Sequence, residues 1–314
     1  MKIHFWGVRG SLPAPLTTRQ VQAKITAVVE RITAKDVESE DAKMRFLASL
    51  PPWIYGTIGG NTPCVEIVSD SGKQFILDCG SGLREFGVNG SHPEDKHYNI
   101  LMSHFHWDHL QGLPFFWPIF DKSSTIDFYS TFPAAERILA EQSRCPYFPQ
   151  NGAWENVGKV FNFHLIHEME PFYIDGVKIT CKKMHHPGNS YSYSFEQDGK
   201  KIIYSTDVEL HDRDFDKNNK KNWFFDNADV LIMDSQYTGE DAIAKANWGH
   251  SIFSYVVDFA NTWHAKKLFF FHHEPIYGDK KIYSMLKAAK WYQDYSGHNK
   301  TDIDIAVEGQ EIEI

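Results

Sequence analysis

The sequence lacks the features that mark a disulfide-stabilised or membrane-spanning protein. Its 314 residues include four cysteines and no Cys-x-x-Cys pair: Cys64, Cys79, Cys145 and Cys181. Such sparse and scattered cysteines are typical of a reducing compartment. No apolar run approaches the roughly 18 residues that a membrane-spanning helix requires, and the N-terminal residues lack the apolar stretch of a signal peptide. We therefore expect a cytoplasmic protein that has no membrane partner.

Positive charge is also scarce. The 41 Asp and Glu residues outnumber the 32 Lys and Arg residues, which gives a formal net charge of −9. An acidic protein repels a polyanion at long range, so we do not expect a large nucleic acid as the partner. A small anionic ligand held by a metal pair is compatible with this charge, because bound cations dominate their local field.

Hydrophobic residues make up 42% of the chain, which is enough for a large core. Their periodicity predicts a strand-rich block followed by a helix, and this order occurs twice. The first block has predicted strands at Lys2–Val8, Cys64–Ser69, Gln74–Leu77 and Tyr98–Met102, and a predicted helix at Pro133–Ser143. The second has predicted strands at Val160–Ile166, Val177–Met184, Tyr191–Glu196, Lys201–Ser205, Asp229–Met233 and Lys267–Phe271, and predicted helices at His250–His264 and Lys280–Tyr295. The order predicts an α/β fold, an αββα sandwich of two mixed β-sheets with outer helices, formed as one domain by residues 1–314.

The segment at about 17–50 interrupts this order as a helical insertion. Thr17 or Thr18 can cap a helix that carries apolar residues at a 3.6-residue period: Val21, Ile25, Val28, Val29 and Ile32. A second helix is predicted from Asp41 to Leu50, before Pro51-Pro52. Two interpretations stay open for this insertion: a lid or homodimer contact, or a solvated helical hairpin.

A metal-ligand pattern follows the apolar strand that ends at Met102. The loop His104-Phe105-His106-Trp107-Asp108-His109 brings three imidazoles and a carboxylate to the end of one strand. Imidazole nitrogen and carboxylate oxygen are the usual protein ligands of zinc, iron and manganese. The loop therefore predicts a metal site.

The same loop resembles the signature of the metallo-β-lactamase superfamily. Later segments resemble its phosphodiesterase branch, which includes ribonuclease Z and cyclic-nucleotide phosphodiesterases. The resemblance extends from Phe5-Trp6-Gly7 to His272-His273-Glu274-Pro275, with the insertion outside the shared core. It implies the αββα fold and two divalent metal ions per chain, which are zinc, iron or manganese.

The resemblance also implies the remaining metal ligands. His186, the residue before Pro187, matches the fourth ligand segment, with His185 as the fallback. His272 matches the final ligand, with His273 as the fallback. Asp207 takes the place of the carboxylate that bridges both metals. One ion would then be held by His104, His106 and His186, and the other by Asp108, His109 and His272.

Further site residues follow from the same resemblance. Asp78 matches an aspartate that supports a metal-bound histidine. His250 matches the histidine that acts near the leaving group in the ribonuclease Z branch, and Glu209 is predicted to orient it. Asp108, His250 and Glu209 are thus the predicted catalytic residues, and Asp234 is predicted to lie behind the site.

Two classes of function are compatible with these motifs. The favoured hypothesis is a phosphodiesterase that acts on small phosphodiesters or cyclic nucleotides, because a metal pair can share a hydroxide that is nucleophilic near neutral pH. The alternative is a di-iron sensor that binds dioxygen and reports to a signalling partner, like the oxygen-binding sensor of bacterial chemotaxis. A wall of Phe115-Phe116-Trp117 with Tyr191 and Tyr193 would form its apolar pocket. A lactamase-like or thioester hydrolase ranks third.

Overall fold

Two seven-stranded sheets form the centre of the computed structural model, which describes residues 1–148, 153–297 and 301–314. The first sheet consists of β1 (Lys2–Gly7), β2 (Cys64–Val68), β3 (Gln74–Leu77), β4 (His97–Leu101), β5 (Thr125–Ser130), β6 (Phe161–Leu165) and β14 (Glu311–Glu313). Its strand order is β14-β1-β2-β3-β4-β5-β6. Strands β3 to β6 run parallel to one another, whereas β14, β1, β2 and β3 pair antiparallel.

The second sheet is also mixed. It consists of β7 (Phe172–Ile174), β8 (Val177–Met184), β9 (Ser190–Gln197), β10 (Lys200–Ser205), β11 (Val230–Asp234), β12 (Lys267–Phe271) and β13 (Asp302–Ile305). Its order is β13-β12-β11-β10-β9-β8-β7, parallel from β10 to β13 and antiparallel from β7 to β10.

Helices flank the two sheets. They are α1 (Thr18–Val29), α2 (Glu40–Ser49), α3 (Pro52–Tyr55), α4 (Gly82–Asn89), α5 (Ala135–Gln142), α6 (Ala153–Val157), α7 (Gly239–Ala244), α8 (Phe253–Thr262) and α9 (Asp279–Ser296). Helix α8 buries Val256, Val257, Phe259 and Ala260 on one side, as its apolar periodicity predicts. The predicted αββα sandwich of two mixed sheets is confirmed. No helix among the described residues is long and apolar enough to span a membrane.

The main core lies between the two sheets. Phe5 of β1 packs against Phe269 of β12 with ring centroids 5.6 Å apart, and Phe75 of β3 packs against Phe195 of β9 at 5.4 Å. Such tilted aromatic pairs contribute about 0.5–1.5 kcal/mol beyond the burial of their surface. The two sheets are thereby held in a fixed relation, which positions the loops at their strand ends.

The helices α1 and α2 occupy the predicted insertion, but their apolar residues are not buried. Val21 and Ile25 of α1 are 41% and 58% exposed. The contact that anchors α1 is polar, since Lys24 Nζ lies 2.7 Å from Asp279 Oδ2 at the start of α9. Periodicity alone predicts an amphipathic helix and does not say whether its apolar face is covered.

Loops at one edge of the two sheets carry the predicted ligands. His104 to His109 follow β4, His186 follows β8, Asp207 follows β10 and His272 follows β12. Strands β8, β10 and β12 point in the same direction, so their carboxyl ends meet at one edge of the second sheet. The fold therefore gathers residues that are far apart in the chain.

Candidate metal centre

One set of ligand atoms comes from His104, His106, His186 and Asp207, which all lie within 4.8 Å of one another. His186 Nε2 is 3.0 Å from His106 Nδ1. His104 Nε2 and His186 Nε2 are each 3.6 Å from Asp207 Oδ2. His106 is the exposed member of this set, so the centre opens to solvent on its side.

A second set comes from Asp108, His109 and His272, again with ligand atoms within 4.8 Å of one another. His109 Nε2 and His272 Nε2 lie 3.1 and 3.2 Å from Asp207 Oδ1. The two oxygens of Asp207 therefore face different sets, which is the arrangement that a carboxylate needs to bridge two ions. The structure brings together all seven residues that the sequence nominates as ligands.

The two fallback histidines lie outside the cluster. The ring of His185 packs against that of His211 with centroids 4.4 Å apart. His273 is buried and its Nε2 lies 2.9 Å from the carbonyl oxygen of Ala306, where burial lowers its pKa to about 3. The backbone alternates sides at a strand end, so only one member of each adjacent pair can face the centre.

The donor set fits a pair of divalent cations. Within the described residues, the buried Nε2 atoms of His104 and His109 have no hydrogen-bond partner. Leaving a buried polar atom unpaired costs about 1–3 kcal/mol, and a metal ion at either position would remove that penalty. The mixture of imidazole and carboxylate ligands suits zinc, iron or manganese.

Hydrogen bonds behind the ligands orient their rings. His109 Nδ1 lies 2.8 Å from Asp78 Oδ2, an oxygen that also accepts hydrogen bonds from Ser103 and Tyr204. His186 Nδ1 donates to the carbonyl oxygen of Gly249 at 2.9 Å. With Nδ1 engaged, Nε2 of each ring is directed into the cluster.

The charges of the cluster favour ligation. Burial, with the neighbouring His109, holds the pKa of His104 well below its usual value, and burial lowers the pKa of His106 and His186. Burial would raise the pKa of the Asp207 carboxyl, but nearby imidazoles outweigh it and the pKa falls well below its usual range. Neutral imidazoles and an ionised carboxylate are the forms that bind metal.

The pKa of His109 shifts in the opposite direction. Burial lowers its pKa, but the carboxylates of Asp207, Asp108 and Asp78 outweigh burial and raise the pKa well above its usual value. The excess negative charge around this ring is the charge that a bound cation would balance.

His250 stands beside the cluster and is oriented by Asp234. Its ring centroid is 5.0 Å from that of His272 and 5.3 Å from that of His186. Its Nδ1 lies 2.6 Å from Asp234 Oδ2. Burial lowers the pKa of His250, but the carboxylates of Asp234, Asp207 and Asp108 together outweigh burial and raise it to about 9. His250 also precedes α8 by three residues instead of opening that helix as predicted.

The prediction that Glu209 orients His250 is wrong. The Glu209 carboxylate accepts hydrogen bonds from the backbone N–H groups of Asn247 at 3.1 Å and Gly249 at 3.0 Å. Asp234 ends the buried strand β11 and reaches His250 directly, whereas Glu209 holds the loop before it. Because His186 bonds the carbonyl of Gly249, Glu209 acts through that loop on the orientation of a predicted ligand.

The predicted aromatic wall does not form. Phe116 is fully buried against Phe86 and Tyr98, in a cluster on the outer side of the first sheet. Tyr193 belongs to the core between the sheets, where its hydroxyl donates to the carbonyl oxygen of Met102 at 2.7 Å. Adjacent residues in Phe115-Phe116-Trp117 point in different directions, and Phe115 is 67% exposed.

An aromatic groove that was not predicted from the sequence lies beside the metal loop. Phe105, Trp107, Phe115 and Tyr147 are among its lining residues, and its volume is about 580 Å³. Trp107, between His106 and Asp108, is 73% exposed. The signal in the sequence was the alternation of aromatic and ligand residues in the loop itself. A groove of this size accommodates a small organic ligand.

Comparison with known proteins is consistent with this geometry. A family model described as "Beta-lactamase superfamily domain" matches residues 73–273. The chain is 26% identical over 190 residues to "Probable RNase MJ4" of Methanocaldococcus jannaschii, a match that covers 55% of this chain and 42% of that protein. The chain therefore spans less than half the length of that relative.

Solved structures share the fold across the whole chain. The metallo-beta-lactamase fold protein YhfI from Bacillus subtilis has a TM-score of 0.63 at 18% identity, with 99% of each chain covered. A diphosphatase from the PhnP family has a TM-score of 0.62 at 18% identity, with 100% of this chain and 96% of the other covered. At such identities the likeness establishes the fold alone.

Proposed function

The chain belongs to the beta-lactamase superfamily, and on that premise we propose that it is a metal-dependent hydrolase of small phosphodiesters, including cyclic nucleotides. The observation that carries the proposal is the His250–Asp234 pair beside the Asp207 carboxylate, whose two oxygens face the two ligand sets. A ligand atom of His250 lies within 4.8 Å of ligand atoms of Asp207 and His272. An imidazole so placed can transfer a proton to a group that reacts at the metal pair.

The ligand cluster would hold two ions of zinc, iron or manganese. When bound, they would supply Lewis acidity toward the phosphoryl oxygens and a hydroxide that is nucleophilic near neutral pH. His104, His106 and His186 would hold one ion, Asp108, His109 and His272 the other, with Asp207 between them. Asp78 and the Gly249 carbonyl keep the ligand rings of His109 and His186 in their binding orientation.

His250 is proposed as the proton donor. Asp234 engages its Nδ1 and favours the protonated ring, which leaves Nε2–H free to donate to the departing alkoxide. A positioned acid of this kind accelerates such reactions by roughly 10²- to 10⁴-fold. Asp234 is the residue that positions it.

The aromatic groove supports an organic substrate of nucleotide size. Its exposed rings include Trp107, which belongs to the ligand loop, and Phe115. Stacking of a base on an aromatic side chain is worth about 1–3 kcal/mol per base. The net charge of −9 disfavours a long polyanion but does not oppose a single nucleotide. The similar protein of Methanocaldococcus jannaschii is named a probable RNase, and cleavage of RNA is consistent with a phosphodiester substrate.

The test is hydrolysis of bis(p-nitrophenyl) phosphate by protein loaded with zinc, manganese or iron. We expect turnover that disappears when the metal is removed. His250→Ala should keep its metals and lose roughly 100-fold in kcat. His264→Ala is the matched control, because His264 also pairs with an aspartate, Asp226, at 3.1 Å but lies exposed and away from the cluster.

The same samples separate the enzyme from the oxygen sensor. A sensor would hydrolyse no diester with any of the three metals, and its iron form would gain a lasting visible absorption band when anaerobic protein is exposed to air. That pair of results would overturn the proposal. Equal turnover by His250→Ala and the parent would instead remove His250 from the mechanism.

A further inference from the structure

A second pocket adjoins the metal centre on the side of strand β8. It has a volume of about 420 Å³, and its wall includes the ligand His186 and the neighbouring His185. Four cationic side chains line it: Lys182, Lys183, Arg213 and Lys221. Two carboxylates, Glu168 and Asp214, share the lining. This cationic pocket is unusual in a chain whose net charge is −9.

Lys182 is the most informative residue of the cationic pocket. The residue is only 6% exposed, yet it forms no ion pair with any described residue. The contacts of its Nζ are the Met184 sulfur at 3.8 Å and the Phe225 ring, whose centroid is 5.5 Å away. Burial lowers the pKa of Lys182, although Asp214 and Glu168 oppose the shift. A buried ammonium without an oxygen partner is costly, and an anion in the pocket would provide that partner.

The carboxylates in the pocket are already engaged. Glu168 Oε2 pairs with Lys221 Nζ at 3.1 Å. Asp214 Oδ2 accepts the backbone N–H of His211 at 2.9 Å. Lys183 and Arg213 have no ion pair within the described part of the chain. The pocket thus presents more positive charge than its own acids neutralise.

We propose that the cationic pocket binds a second phosphate group of the substrate. The preferred substrate is then a small diester that carries a terminal phosphate as well as the scissile one, as in a phosphodiester of a nucleoside bisphosphate. Lysine and arginine are the side chains that bind phosphate, arginine with two parallel hydrogen bonds. Because His186 belongs to both sites, the two phosphates would bind side by side. This inference rests on the proposed phosphodiesterase function.

The test compares two chromogenic substrates that differ by one phosphate. They are thymidine 5′-(p-nitrophenyl phosphate) and the same compound with a 3′-phosphate. Metal-loaded protein should favour the 3′-phosphorylated compound by about tenfold in kcat/KM, mainly through KM. Lys182→Met and Arg213→Gln should each reduce this preference and leave turnover of the other compound unchanged. Lys178→Met is the control, because Lys178 lies on the same strand but pairs with Glu196 at 3.3 Å and does not line the pocket.

Calorimetric titration with thymidine 3′,5′-bisphosphate and thymidine 5′-monophosphate tests the phosphate subsite separately from the proposed hydrolase function. If neither chromogenic compound is hydrolysed but the bisphosphate binds about tenfold more tightly and Lys182→Met abolishes the difference, the proposed function fails and the phosphate subsite stands. Equal binding of both nucleotides overturns the subsite. A variant that loses turnover of both chromogenic compounds equally also overturns it, because Lys182 would then have a structural role only.

Discussion

Replacing Gly249 by alanine should damage the metal centre through a single methyl group. Gly249 has a φ of +89° and its carbonyl oxygen accepts the Nδ1–H bond of His186. A Cβ at this position would overlap Nδ1 of His186 and lie 2.5 Å from Cδ of Pro187. The ring must therefore turn or the loop must shift, and either movement breaks the hydrogen bond that directs His186 Nε2 into the cluster.

Two contributions set the size of the effect. A non-glycine residue in this backbone conformation costs about 1–3 kcal/mol of stability. Loss of a partner that orients a metal ligand typically lowers metal affinity by roughly 10- to 100-fold. Gly176→Ala measures the first contribution alone, because Gly176 has a similar φ of +78° but a Cβ there meets nothing within 4 Å. The difference between the two variants therefore isolates the second contribution.

The assay is metal content and chelator competition for the two variants, each compared with the parent, together with chemical denaturation. Both variants should lose stability, but Gly249→Ala alone should lose affinity for one of the two ions. If Gly249→Ala retained both metals with the affinity of the parent, the orienting role of the Gly249 carbonyl would be refuted.

The other predictions concern the bridge, the loop, the aromatic core and pH. Asp207→Ala should lose most of both metals by elemental analysis, because its two oxygens are the ones that face both ligand sets; full occupancy would contradict the bridge. Glu209→Gln should weaken metal binding without moving the pH profile of turnover, since its carboxylate contacts the loop and not His250; a shifted profile would restore it as the orienting residue. Phe116→Ala should lower the free energy of unfolding by about 3–5 kcal/mol and leave metal content intact, as expected of a core residue; a stability equal to the parent's would contradict that placement. His273 is buried, and its pKa is lowered from the ordinary value of 6.5 to about 3. The stability that its neutral form contributes is therefore fully present above pH 6.5 and is lost as the pH falls toward 3, at about 1.4 kcal/mol per pH unit. In the metal-free protein, the free energy of unfolding measured between pH 6.5 and 4 should therefore change less steeply with pH for His273→Gln than for the parent. An equal pH dependence would show that His273 does not contribute to it.

The sequence was informative where chemistry is concentrated in a short segment. His104, His106, Asp108 and His109 fall within six residues after an apolar strand, and this loop is sufficient to predict a metal site. Strand periodicity predicted the bounds of β3, β8 and β12, but it missed β5 (Thr125–Ser130), a strand of six residues inside the first sheet. Edge strands β7, β13 and β14 were missed, because three or four residues carry too little pattern to be recognised.

Tertiary structure decided what depends on direction and on distant contacts. It turned His186 and His272 toward the cluster and their neighbours away from it, which a pair of adjacent histidines in a sequence does not reveal. It placed Asp234, instead of Glu209, against His250, because the end of β11 faces the loop before α8 whereas the Glu209 carboxylate is bound to the backbone of that loop. It also separated Phe116 from Tyr193 and grouped Lys182 with Arg213 in one pocket. Residue type and local periodicity determine which groups are available, whereas the packing of two sheets determines which of them meet.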